Sequence, residues 1–203
     1  MSVLDLKCPI CSLMAQPATS GPDDYRWICP RCVSFRISAT ADAMYSHDSN
    51  WGADASATRA RASSWIRENR PQGVLTDVDI ARLVQLHPLS VEEETIKVLR
   101  AVRDSSPVFG ALVEIQASKD EWLARTWCRR SDELLALVDD LEKEGLLEVQ
   151  SRMHGYNGIT RVRMSLKGSR VLESQGGPSP DALIGFIAMA FRDELRCANE
   201  VLH

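Results

Sequence analysis

The chain has 203 residues, of which 44% are hydrophobic and 26% charged, and its formal net charge is −4. These values are typical of a folded protein with a sizeable core, and the negative charge excludes a whole-protein attraction to nucleic acid or anionic membranes. Residues 1–8 lack the build of a signal peptide, and the longest apolar run, Ala182–Phe191, is about half as long as a membrane span. We therefore expect a cytoplasmic protein that makes no membrane contact.

Two Cys-x-x-Cys pairs, Cys8 with Cys11 and Cys29 with Cys32, dominate residues 1–38. Cytoplasmic thiols stay reduced, so clustered cysteines predict metal ligands rather than disulfides. Two intervening residues let both thiolates of a pair point at one ion, and the 17 residues between the pairs are enough for a β-hairpin. Four thiolates leave no open coordination position, so the pattern predicts one structural zinc ion in a zinc ribbon. A single iron in a rubredoxin-like site remains an alternative.

Residues 39–89 are rich in Ala, Ser, Asp and Arg, and this composition predicts a helical linker. One helix is expected over Ala57–Asn69, ending before Pro71. A second is expected to start at Thr76, because Asp79 follows three residues later and the two residues together form a capping-box signature.

Helix signals continue from residue 90 and then give way to strands. Ser90 and Ser118, each with a glutamate three residues later, and Ser131 are predicted to begin three helices, the last of which is closed by Gly145. Period-two alternation then predicts strands over Leu146–Met153 and Ile159–Leu166, joined by a hairpin turn at 154–158. A short helix is expected around 169–174.

The run Leu137-x-x-x-Leu141-Glu-Lys-Glu-Gly-Leu-Leu147, followed by the hairpin and by Met164-Ser-Leu-Lys-Gly168, resembles winged-helix transcription regulators of the multiple-antibiotic-resistance type. The resemblance implies DNA binding, with the helix that starts at Ser131 in the major groove. The charge of that helix argues against transferring this DNA-binding mode unchanged to the present chain. Residues 131–145 hold six acids and one lysine, a net charge of −5, and a polyanion would repel that helix.

The predicted hairpin, or wing, has the opposite charge. Residues 148–170 carry a net charge of +4, and alternation predicts that Arg152, Arg161 and Arg163 face outward. This positive row is the candidate surface for a phosphate backbone or for an acidic protein surface, which includes the acidic helix of a second copy. A solvated polar face on the hairpin is the plainer alternative. The partner expectations are therefore DNA through the wing, a protein partner or a homodimer.

The order of these segments resembles a second, more particular group. A ribbon ending in Cys-Pro-Arg-Cys32, the Leu-Glu-Lys-Glu-Gly-Leu-Leu147 run and Ile184-Gly-Phe-Ile-Ala-Met-Ala-Phe191 look like the N-terminal half of bacterial proteins that carry a Toll/interleukin-receptor-like or nucleoside-deoxyribosyltransferase-like domain. The resemblance implies phage defence, nucleotide signalling and a catalytic domain that is truncated after its first strand. In this chain the apolar stretch is expected to turn helical and pack on the body or on a second copy.

No nucleophile, phosphate-loop or paired-acid motif indicates catalysis. The sequence therefore predicts a mainly α fold with small β, divided into a zinc ribbon (1–38), a helical linker (39–89), a winged-helix-like domain (90–176) and a tail or stub (177–203). The expected function is a non-catalytic recognition and assembly module that binds DNA or a protein partner. The alternative is the regulatory front half of a nucleotide-cleaving anti-phage effector.

Overall fold

The computed structural model describes residues 6–21, 23–153 and 159–176. The strands are β1 (Leu6–Lys7), β2 (Met14–Ser20), β3 (Asp24–Cys29), β4 (Val33–Ser38), β5 (Val74–Leu75), β6 (Val113–Gln116), β7 (Leu147–Met153) and β8 (Ile159–Met164). The helices are α1 (Ala39–Tyr45), α2 (Ala55–Asn69), α3 (Asp77–Val84), α4 (Val91–Ser105), α5 (Asp120–Arg125), α6 (Ser131–Lys143) and α7 (Leu166–Gly176), and a short 3₁₀ helix spans Asp48–Trp51.

The first five strands form one mixed sheet in chain order. Strands β1 to β4 are antiparallel neighbours, and β5 pairs parallel to β4. In β4 the apolar Phe35 and Ile37 are buried while Arg36 between them is exposed, which is the alternation expected of a strand with one face on a core. The predicted hairpin between the cysteine pairs is confirmed as β2 and β3.

One buried cluster joins this sheet to the helices that follow it. Its largest side chains are Trp27, Phe35, Ile37, Trp51, Ile66, Ile80 and Leu83. Residues 39–89, predicted as a linker, therefore contribute α1, α2 and α3 to the same core as the cysteine-bearing strands. We call residues 6–86 the first unit. The predicted domain division at residues 38 and 89 stays a prediction.

The second unit, residues 90–176, is built around a three-stranded antiparallel sheet in the order β6-β8-β7. Helices α4, α6 and α7 cover it and fill a second core. The fully buried side chains of that core are Val98, Leu99, Val102, Ile115, Leu134, Val138, Leu141, Leu147 and Val162. The predicted hairpin strands are present as β7 and β8, whereas β6 was not predicted.

The prediction of a mainly α fold with small β is wrong. Of the residues that the structure describes, 48% are helical and 23% lie in strands, and the strands form a five-stranded and a three-stranded sheet. The strands that were overlooked are short: β1 and β5 have two residues each, and β6 has four. Such pieces carry too few residues to show a period of two, and only tertiary pairing makes them strands.

Helix starts followed the predicted signals in part. Capping boxes are present at Thr76 with Asp79 and at Ser90 with Glu93, as predicted. The predicted start at Ser118 is wrong, because α5 begins at Asp120 after Lys119. The predicted helix start at Ser131 is confirmed, but Ser131 is the first helical residue of α6 rather than its cap. Gly145 adopts a positive φ of 71° just after α6 and so ends that helix as predicted.

Some predicted elements fall outside the described part of the chain. These are the hairpin turn at 154–158 and the tail at 177–203, which includes the apolar stretch Leu183–Phe191. Within the described ranges, no helix is both long enough and apolar enough to cross a membrane.

Candidate metal centre

The structure brings all four predicted ligands together. One sulfur atom from each of Cys8, Cys11, Cys29 and Cys32 lies within 4.8 Å of the others. The Sγ atoms of Cys8 and Cys32 are 3.9 Å apart, and those of Cys11 and Cys29 are 3.3 Å apart. A tetrahedron with metal–sulfur bonds of about 2.3 Å has edges of about 3.8 Å. The prediction that these cysteines could hold a metal ion is confirmed.

Each cysteine pair occupies a tight turn between two strands. Cys8 and Cys11 lie between β1 and β2, where the Cys8 carbonyl accepts from the Ser12 backbone N–H at 2.9 Å. Cys29 ends β3, and Cys32 directly precedes β4. The residue after each pair, Ser12 or Val33, has a positive φ of 62° or 68°. The two turns therefore repeat one backbone path, which aims two sulfurs from each turn at a common point.

Burial controls the protonation of these thiols. Cys8, Cys29 and Cys32 are buried, and Cys11 is half-buried. Burial raises the pKa of Cys8 and of Cys32 well above the usual thiol value. Hydrogen bonds from the neighbouring thiols, Cys11 first, lower the pKa of Cys29. Without a cation, burial thus favours the neutral thiol form of Cys8 and Cys32. Four thiolates require a positive ion among them.

The donor set fits a soft or borderline metal ion. Four sulfur ligands in a closed, largely buried shell match a structural tetrahedral site, in which no coordination position remains for water or substrate. The residues present therefore fit a structural metal ion such as zinc.

Two arginines of α2 bind the backbone of the cysteine turns, and the sequence analysis missed both. Arg59 donates from Nη1 to the carbonyls of Pro9 and Ile10 at 2.6 and 3.0 Å. Arg67 donates from Nη1 to the carbonyls of Pro30 and Arg31 at 2.9 and 3.3 Å. Each cysteine turn thus has two carbonyls bound by one guanidinium. The bonds from Arg59 to the first turn are buried, where an unpaired carbonyl would cost free energy.

The sequence of α2 explains how the arginines reach the turns. Arg59, Ser63 and Arg67 follow one another at intervals of four residues, which places them on one helix face. Small buried residues beside them, Ala60 and Ala62, let the helix lie close to the turns. Arg59 is 4% exposed, and its guanidinium also lies 4.7 Å from the Trp51 ring centroid. The four-residue spacing on a helix of small residues is the signal that could have identified them.

The three wing arginines are each paired with carboxylates. The pairs are Arg152 with Asp139 (2.6 Å) and with Glu142, Arg161 with Glu114 (3.5 Å), and Arg163 with Glu148 (2.5 Å). Glu114 and Glu148 lie directly across the sheet from Arg161 and Arg163. Cross-strand pairs of opposite charge stabilise a sheet and reduce the field that each arginine projects.

The wing arginines also do not share one face. A register shift between Val149 and Ser151 pairs Arg152 with Thr160, which is buried. Residues directly opposite each other in a sheet lie on the same face, so Arg152 lies on the face that carries the buried Thr160, and Arg161 lies on the other. The structure therefore divides the predicted positive row between two faces, because a bulge interrupts the alternation on which the prediction relied.

Cys128 lies outside the four-cysteine cluster. It is buried in the core of the second unit, and burial raises the pKa of its thiol to about 11. A thiol this hard to ionise is a poor nucleophile and a poor metal ligand.

Comparison with known proteins identifies no family for this chain: no protein-family model, no curated protein and no solved structure matches it.

Proposed function

We propose that Cys8, Cys11, Cys29 and Cys32 bind one structural zinc ion, and that the protein is a non-catalytic recognition and assembly module. The observation that carries the metal proposal is the convergence of four sulfur atoms within 4.8 Å, three of them on buried residues. Bound zinc would offset two of the four thiolate charges and join the two turns. Apparent zinc binding of roughly 10–16 kcal/mol is as large as the whole folding stability of a small unit.

Metal analysis of the purified protein tests this proposal. We expect one zinc per chain, and we expect Cys32→Ser to lose the metal together with the fold of the first unit. Cys128→Ser is the matched control, because it removes an equally buried thiol outside the cluster and should leave the zinc content unchanged. Iron in place of zinc, or a folded first unit without metal, would contradict the proposal.

The recognition role rests on the second unit. Its element order, α4, β6, α5, α6, β7, β8, α7, supports a winged-helix-like arrangement in which α6 takes the place of the recognition helix and β7–β8 that of the wing. This order agrees with the resemblance seen in the sequence. The assignment of that role to this chain is our proposal.

Charge favours a protein partner over DNA. Each wing arginine already has a carboxylate partner: Arg152 pairs with Asp139 and Glu142 of α6, and Arg161 and Arg163 pair with glutamates of the sheet. A phosphate backbone would have to displace these carboxylates and approach a helix segment of net charge −5. A protein surface that offers both signs of charge meets no such obstacle.

DNA titration separates the two partner classes. Near physiological salt we expect no complex with a duplex at protein concentrations up to about 10 µM. A double variant, Glu114→Gln with Glu148→Gln, frees Arg161 and Arg163 and should gain salt-sensitive DNA binding. Tight, salt-sensitive binding by the unmodified protein that disappears in Arg161→Ala with Arg163→Ala would instead identify the wing as a DNA-binding surface.

The alternative function, the regulatory half of an anti-phage effector, depends on residues 177–203. These lie outside the described part of the chain. No contact among the described residues favours that function, and it stays a prediction.

A further inference from the structure

The second cysteine turn reaches out of the first unit. Arg31 stands between two of the metal ligands in the sequence Cys29-Pro30-Arg31-Cys32 and is 5% exposed. Its Nη2 donates to the backbone carbonyl of Cys128 at 2.6 Å, 97 residues away and in the second unit. Its Nε donates to Ser63 Oγ of α2 at 2.8 Å. One side chain of the metal turn therefore joins α2 to the second unit.

A second arginine reinforces the same junction. Arg67 of α2, which binds the carbonyls of Pro30 and Arg31, also pairs with Glu121 of α5 at 3.0 Å. The position of the Cys29–Cys32 turn and the position of α5 thus depend on the same two guanidinium groups. The two bonds of Arg31 are buried and so shielded from competing water, whereas Glu121 in the Arg67 pair is exposed.

The acceptor of Arg31 lies in a constrained loop. Residues 126–130 connect α5 to α6, and Trp127 within them has a φ of 61°, an unfavourable value for a bulky residue. The Trp127 indole donates to Glu68 of α2 at 3.0 Å, and Lys97 Nζ lies 4.8 Å from its ring centroid. Contacts from the first unit therefore help to hold this loop in a conformation that it would not otherwise prefer.

We infer that Arg31 is a positioning residue that couples metal binding in the first unit to the placement of the loop 126–130 and of α6 in the second. The inference rests on the proposed metal site. A metal ion fixes the Cys29–Cys32 backbone and with it the base of the Arg31 side chain. When the metal leaves, the turn is released, and the Cys128 carbonyl and the Ser63 hydroxyl lose their shared donor.

The coupling works in both directions. Any partner that binds α6 and favours the docked loop raises metal affinity by the same factor by which the metal raises affinity for that partner. Loss of the metal thus lowers the affinity for that partner, although none of the four cysteines contacts the partner.

Hydrogen exchange measured by mass spectrometry on the full chain tests this coupling. The samples are the unmodified protein with and without zinc, Arg31→Met with zinc, and Arg36→Gln with zinc as the matched control. Arg36 pairs with Asp24 inside the first unit, so its loss leaves the junction intact. The zinc content of every sample is measured alongside.

In zinc-loaded Arg31→Met we expect amides 120–130 to exchange about tenfold faster, as loss of a charged hydrogen bond predicts, while residues 8–11 and 29–32 stay protected. Arg36→Gln should match the unmodified protein. Release of zinc to a chelator should also be several-fold faster from Arg31→Met, an effect that a purely local packing defect in the second unit would not produce.

Ser63→Ala supplies a second variant if Arg31→Met does not fold. It removes the acceptor of Arg31 Nε and a hydroxyl bond to the Ala60 carbonyl within α2, while Arg31 Nη2 keeps its bond to the Cys128 carbonyl. It also replaces serine by a better helix former, and it should give a smaller change of the same sign. Unchanged exchange at 120–130 in a zinc-loaded Arg31→Met or Ser63→Ala sample would overturn the coupling while leaving the metal site standing. Absence of zinc from the unmodified protein would overturn both, and the metal analysis makes that case recognisable.

Discussion

At the scale of single residues, the two cysteine turns depend on a conformation that L-amino acids disfavour. Ser12 and Val33 follow the last cysteine of their turns with φ of 62° and 68°. Left-handed backbone costs a non-glycine residue about 1–2 kcal/mol. Both turns adopt it, and together they hold four sulfurs within 4.8 Å of one another.

We predict that Ser12→Gly tightens metal binding. Ser12 is exposed, so the substitution removes backbone strain without loss of packing. The extra freedom of glycine in the unfolded chain offsets part of the gain, which leaves about 0.5–1 kcal/mol. This corresponds to a dissociation constant about two- to fivefold lower, measured by competition with a chelator. Ser12→Ala, which keeps the strain, should show no gain, and equal affinity of the two variants would contradict this explanation.

The ligands could be identified from the sequence, whereas the residues around them could not. Four cysteines in two Cys-x-x-Cys pairs are a specific signal, because two intervening residues let both sulfurs of a pair bind one metal ion. Arg59 and Arg67 bind backbone carbonyls of residues 36 to 50 positions away. Their four-residue spacing could mark them as residues of one helix face, but nothing local to α2 marks a backbone carbonyl as the partner. The pairing of Arg161 and Arg163 with glutamates was equally hidden, because one of those glutamates lies on β6, which was not predicted.

At the scale of helices and strands, helix N-caps were predictable only where the cap residue and the third helical residue each accept a hydrogen bond from the other's backbone N–H. Ser90 Oγ accepts from the Glu93 backbone N–H at 3.2 Å, and the Glu93 carboxylate accepts from the Ser90 backbone N–H at 2.7 Å. At α6 the Glu133 carboxylate instead accepts from the backbone N–H of Arg129 and of Arg130. The start of α6 is thus capped by an acid of its first turn rather than by Ser131.

This difference in capping predicts that two serine substitutions lower the free energy of unfolding by unequal amounts. Ser90→Ala removes a side-chain cap and should destabilise the second unit by about 1 kcal/mol. Ser131→Ala changes an exposed residue within the first turn of α6 and should stay within about 0.5 kcal/mol of the unmodified protein. The midpoint of urea unfolding measures both. A larger loss for Ser131→Ala than for Ser90→Ala would refute the assignment of the caps.

At the scale of the whole molecule, the metal site is part of the first core. Cys8, Cys29 and Cys32 belong to the same buried cluster as Trp51, and Ile80 of α3 belongs to it as well. The sequence suggested a ribbon joined to a linker, because each segment alone shows few large apolar residues. Only tertiary packing brings the two segments into one core. Arg31 then connects that core to the second unit through its hydrogen bond to the Cys128 carbonyl.

X-ray absorption at the metal edge of the purified protein tests the central claim most directly. We expect a zinc edge with four sulfur neighbours at about 2.3 Å and no nitrogen or oxygen among the coordinating atoms. A first shell containing oxygen or nitrogen, a sulfur number below four, or an iron edge in place of zinc would contradict it.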